Sequence, residues 1–90
     1  MKLVRWTAHA LLNLNDREIS RAVAEQTIAD PAYTTSDPPG REIRMRRYFD
    51  AILQQEMLLR VVVEDTENEL VVITLYKTSQ IDRYLRGLDS

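Results

Sequence analysis

The spacing of apolar positions changes at Pro31. Before it, they recur at helical intervals. Thr7 is placed to cap a helix over residues 8–16; at about 100° per residue Ala10 and Leu14 continue a stripe that starts at Trp6, with Leu11 near its edge. His9, Asn13 and Asp16 share a second stripe. Ser20 is placed to cap a second helix over 21–29, with Val23, Ala24, Thr27 and Ile28 on its inner face and Ile19 packed over its start. Asp30-Pro31 stops that helix, because proline disfavours the helical region for the residue before it. Beyond Pro31 the period is two. Residues 32–36 read as a weak edge strand. Glu42–Phe49 alternates, with Ile43, Met45, Arg47 and Phe49 on one face and Glu42, Arg44, Arg46 and Tyr48 on the other. A helix through 41–58 competes with this strand, since Ile52, Leu53 and Met57 are also spaced for one. Met57–Glu64 and Leu70–Lys77 are strands rich in β-branched residues, joined by a polar hairpin connection over 65–69. Thr78–Arg86 reads as a closing helix carrying Ile81, Tyr84 and Leu85, with Gly87 as its stop.

The predicted order is therefore α-α-β-β-β-β-α. It implies an α+β fold in which two N-terminal helices pack on one face of a four-stranded antiparallel sheet, with a short C-terminal helix. The other face is expected to be wetter, because one short helix cannot cover it. Ser36-Asp-Pro-Pro-Gly40 is a loop inside a single domain spanning residues 1–90, since neither side of it is long enough to fold alone.

Composition narrows the chemistry. The chain has 12 Lys+Arg against 14 Asp+Glu, a formal charge of −2, and no cysteine. Disulfides, thiolate metal sites and cysteine nucleophiles are excluded. The longest apolar run, Leu70–Tyr76, is far short of the roughly 20 residues a membrane helix needs. Residues 1–6 lack the apolar core of a signal peptide. A soluble cytoplasmic protein with no membrane partner is expected.

His9 is the sole histidine, in the first turn of its helix, where the N-terminal dipole favours a neutral imidazole that Asn13 and Asp16 are placed to orient. A surface or packing histidine reads equally from the sequence. Arg41, Arg44, Arg46 and Arg47 crowd one strand. Arg44 and Arg46 project from the same face about 7 Å apart, a spacing suited to successive phosphates or an acidic partner. The same charges also serve to keep an edge strand from aggregating. Arg60, between Leu59 and Val61 in a central strand, must be paired or face a groove; Glu64 and Glu69 are its candidate structural partners. Thr74 and Tyr76 share a face of the next strand, and Lys77 ends it. Gly40 stands alone, so there is no phosphate loop. With one histidine and no regular carboxylate spacing, no metal site and no cofactor are expected.

These residues fall into a pattern: Trp6-Thr7-x-His9-Ala10, Asp16-Arg17-x-Ile19-Ser20, Arg60-Val61-Val62-Val63-Glu64 and Val72-Ile73-Thr74-x-Tyr76-Lys77-Thr78. In order and spacing it resembles a family of small bacterial domains of unknown function (DUF4258), related to RelE-like and BrnT-like toxins of toxin–antitoxin systems. The resemblance implies the RelE/barnase-like fold of small ribonuclease toxins. It also implies functional positions at His9, Arg17, Arg60, Thr74, Tyr76 and Lys77, and a cognate antitoxin as partner. Where the family often has an arginine four residues after the histidine, this chain has Asn13.

Two functions from different classes follow. One is metal-independent endoribonuclease activity, in which a ribose 2′-hydroxyl attacks the adjacent phosphodiester. His9 is then general base or acid, and Arg60 and Arg17 neutralise phosphoryl charge. Tyr76 and Lys77 orient the phosphate or protonate the leaving oxygen, and Tyr48 or Tyr76 stacks on a base. The other is a non-catalytic module that docks an acidic partner through Arg44, Arg46 and Arg47. RNA, an antitoxin and a second copy of the chain are the partners these readings name.

Overall fold

The structure is a computed structural model and describes residues 2–88. Its elements are β1 (Leu3–Trp6), α1 (Ala8–Asp16), α2 (Arg21–Ala29), β2 (Tyr33–Asp37), β3 (Arg41–Asp50), β4 (Gln55–Asp65), β5 (Glu69–Thr78) and α3 (Ile81–Leu85). The caps of α1 and α2 are those expected: Thr7 accepts from the amide of Ala10, and Ser20 from that of Val23. Residues 41–50 are strand, and 51–54 are the turn that follows it, which disposes of the competing helix.

The sheet has five strands rather than four, and it is mixed rather than wholly antiparallel. Its order is β1-β5-β4-β3-β2. β2, β3, β4 and β5 form an antiparallel meander, and β1 joins β5 in parallel, Leu3 opposite Glu69 through Trp6 opposite Val72. Residues 3–6 carry no alternation to betray a strand, and their partner lies more than sixty residues away. Leu3 is 72% exposed and Val4 43%, so β1 is held by its ladder, by Trp6 and by the flanking ion pairs Lys2–Asp65 and Arg5–Glu69, more than by burial. The closing helix is shorter than expected, because Thr78 stays in the sheet opposite Leu58.

Helices α1 and α2 cover one face. Ala10, Ile19, Ala24 and Ile28 pack there on Leu59, Val61, Val63, Leu70, Val72 and Leu75. The other face carries a smaller cluster of Met45, Leu58 and Leu85, flanked by Tyr33, Ile43, Ile81 and Tyr84. Val72 and Leu75 are three apart yet share the helix-covered core. A bulge makes this possible: Val63 pairs with Val72 and Val62 with Thr74, leaving Ile73 as the extra residue. No helix among the described residues is long and apolar enough to cross a membrane.

Candidate active site at the open edge of β5

β1 is shorter than β5. Its pairing ends at Trp6 opposite Val72, so beyond the bulge the outer edge of β5 has no strand beside it. An uncovered edge presents unpaired polar groups. Here α1 takes the place of a strand and runs alongside β5 in the same direction. Thr7 Oγ1 donates to the carbonyls of Val72 and Ile73 at 2.9 and 3.2 Å. Asn13 Nδ2 donates to Thr74 Oγ1 at 2.6 Å, and Arg17 Nη1 to the Leu75 carbonyl at 3.5 Å. His9, Asn13 and Arg17 are spaced i, i+4, i+8, so they line up along the side of the helix that meets this edge. His9 itself is exposed.

Tyr76 follows Thr74 by two residues and stands opposite Arg60 of β4. Arg60 Nη1 donates to Tyr76 Oη. The Arg60 guanidinium lies 5.3 Å from the Tyr76 ring centre and 4.1 Å from that of Tyr84 on α3. Its Nε is buried with no hydrogen-bond partner among the described residues. Leaving such a group unsatisfied costs about 1–3 kcal/mol. The two expected carboxylates are engaged elsewhere, Glu64 with Arg41 and Glu69 with Arg5. Arg60 is thus a part-buried cation braced by aromatic rings, with no carboxylate among the described residues to neutralise it. A phenol that accepts from a guanidinium keeps its own proton to donate.

The structure therefore brings Arg60, Tyr76 and Thr74 together and carries Arg17 to the same edge, whereas His9 lies exposed one turn before Asn13 on α1. It places the remaining candidates elsewhere. Lys77 points to the helix-covered side, only 11% exposed, where Nζ donates to Asp50 Oδ2 at 2.6 Å and to the Glu18 carbonyl at 3.2 Å. Tyr48 packs against the same core and donates to Asp50 Oδ2 at 3.3 Å. Asp50, 4% exposed, also accepts from the amides of Ile52 and Leu53. The Lys77 bond, followed by the Leu53 amide, lowers its carboxyl to about 2. Burial first, then the Asp50 charge, raises the Tyr48 phenol. Lys77 and Tyr48 thus lock the β3–β4 turn rather than face a ligand.

Arg44 and Arg46 close the end of α2. Arg44 Nη1 donates to the Ile28 carbonyl at 2.6 Å, Arg46 Nη1 to that of Asp30 at 2.7 Å, and both also meet carboxylates, Glu42 and Asp30. Helix C-termini attract cations in this way. Arg47 is on the opposite face, 3.5 Å from Glu56. A cavity of about 550 Å³ lies between β1 and α2, lined in part by Arg44 and away from Arg60. Its cations Lys2, Arg21 and Arg44 already have carboxylate partners.

Three residues that hold the site or the neighbouring β3–β4 turn were not singled out from sequence. Asn13 entered only as a neighbour of His9, Tyr84 as an apolar residue of the closing helix, and Asp50 not at all. For Asp50 a signal existed, an Asp at the mouth of a turn, where its carboxylate caps the next amides.

No curated protein and no solved structure matches the chain. One family model does, over residues 6–77, a span that runs from the end of β1 through Lys77 and holds the whole open edge. By that match the chain belongs to the family described as Domain of unknown function (DUF4258).

Proposed function

We propose that this protein is a metal-independent endoribonuclease of the toxin type, acting in the cytoplasm, and that the open edge of β5 is its site. The observation that carries the reading is Arg60: an arginine held against Tyr76 and Tyr84 with no carboxylate partner among the described residues, where phosphate is the natural counter-charge. The run of two helices followed by an antiparallel meander supports a RelE-like fold. His9 takes the proton of the 2′-hydroxyl as its oxygen attacks phosphorus. Arg60, with Arg17 from the other side of the edge, neutralises the charge building on the non-bridging oxygens. Tyr76 gives its phenolic proton to the departing 5′-oxygen. The products are a 2′,3′-cyclic phosphate and a free 5′-hydroxyl. A cognate antitoxin is the partner this reading implies.

The alternative, docking of an acidic protein on the Arg-rich strand, has lost its main groups, because Arg44 and Arg46 are committed to α2. The test of the endoribonuclease is cleavage of a single-stranded oligoribonucleotide in EDTA, with a 2′-deoxy oligonucleotide as control. Only the ribo-substrate is expected to be cut. His9→Ala is expected to lower the rate by about 10²–10⁴-fold, as for loss of a general base, and Tyr76→Phe to lower it too. Full activity of both variants, or no cleavage by the parent, removes the proposal.

A further inference from the structure

The chain is acidic overall, yet its unneutralised cations are not scattered. Lys2, Arg5, Arg21, Arg41, Arg44, Arg46, Arg47 and Lys77 each meet a carboxylate. Among the described residues, Arg17, Arg60, Arg83 and Arg86 do not. Three of these four surround α3. Tyr84 connects them: Arg60 lies 4.1 Å from its ring centre and Arg83 5.7 Å. Among the described residues Arg83 is otherwise held by Gln80 Oε1, at 3.0 Å, and Arg86 follows three residues later as the C-cap of α3.

Two shallow grooves continue the line. One, of about 330 Å³, is lined by Arg47, Gln80, Asp82 and Arg83 among others. The next, of about 290 Å³, is lined by Arg47, Asp82, Leu85, Arg86 and Gly87. Arg47 belongs to both, and its one ion pair, to Glu56, is long at 3.5 Å and exposed, so it exchanges readily for another anion. Asp82 is the carboxylate that lines both grooves, and it sits in the first turn of α3.

We infer that this row, Arg60–Tyr84–Arg83–Arg86 with Arg47 across the grooves, is a track for the sugar-phosphate backbone of single-stranded RNA leading away from the cleaved phosphate. The inference rests on the endoribonuclease reading for its substrate class and adds the path the strand takes. Arg83 on α3 and Arg86 at its C-cap, three residues apart, suit neighbouring phosphates of a single strand. Asp82 limits affinity along the track, so that product leaves.

The test is fluorescence anisotropy with a 5′-labelled, fully 2′-O-methylated single-stranded RNA, which binds without being cut, titrated at several salt concentrations. Arg83→Ala/Arg86→Ala is expected to weaken binding and to flatten the log K against log[salt] slope by about 1.4, roughly 0.7 for each lost phosphate contact on a single strand. Asp82→Asn is expected to bind more tightly. Circular dichroism checks that both variants stay folded, and both substitutions are of exposed residues. An unchanged slope in the double variant together with unchanged affinity in Asp82→Asn overturns the track. So does a parent that ignores RNA and binds polyglutamate, which marks an acidic protein as the ligand. Cleavage of unmodified RNA is scored separately. Binding with these slopes but no cleavage leaves the track standing and ends the endoribonuclease, whereas cleavage with an unchanged slope does the reverse.

Discussion

Arg60 is held in a way that adds little to the fold. Its two ring contacts are worth about 0.5–1 kcal/mol each at a part-exposed site. Its unsatisfied Nε costs about 1–3 kcal/mol. These nearly cancel, so the guanidinium contributes little to stability. Arg60→Met keeps the stem's packing against Met45, Tyr76 and Tyr84 and discards the charge. It is expected to unfold within about 1 kcal/mol of the parent, a shift of roughly 4–8 °C at most for a domain this size, while RNA cleavage disappears. A loss of 3 kcal/mol or more in thermal or urea unfolding makes Arg60 a structural cation instead. The sequence made Arg60 conspicuous because an arginine between Leu59 and Val61 breaks a buried pattern. It did not show Tyr84 as its brace, because a tyrosine at helical spacing among Ile81 and Leu85 looks like any other core contact.

At the scale of elements, the β3–β4 hairpin depends on one carboxylate. Asp50 ties the turn amides of Ile52 and Leu53 to Lys77 of β5 and Tyr48 of β3. Its carboxyl is lowered to about 2, mainly by Lys77, from an unfolded value near 4. A lowered acid stabilises the fold above the unfolded value, and that contribution is lost as pH falls from about 4 to about 2. Asp50→Asn is therefore expected to be less stable at pH 7 and to show a flatter stability profile between pH 4 and 2, read by urea unfolding at each pH. Both helices of the first half, the hairpin and the last two strands were legible from period and caps. Lys77 and Tyr48 were misread as ligand-facing because alternation gives the face of a strand but not the partner waiting there. Arg44 and Arg46 were misread for a related reason: the carbonyls they satisfy belong to residues 28 and 30, at the end of a different element.

At the scale of the whole molecule, what the sequence hid was the parallel strand. β1 has too few residues and too little burial to announce itself, and its partner is found only after the meander is complete. Its shortness matters more than its presence. A β1 that ran the length of β5 would occupy the edge where α1 now brings His9, Asn13 and Arg17. Ile73 marks the junction between the two regimes, with Thr7 fastened to its carbonyl. The strand is one letter longer there than the ladder requires. Excising Ile73 alone leaves Leu75 and Lys77 directed inward and Thr74 and Tyr76 outward, whereas excising Leu75 reverses every side chain after it. The first deletion is expected to fold cooperatively, and the second to lose its thermal transition. Yet the deletion also removes the Ile73 carbonyl to which Thr7 is fastened, and so loosens the junction between α1 and this edge. That variant separates architecture from the proposed chemistry by a single codon: it is expected to keep the sheet and to lose RNA cleavage.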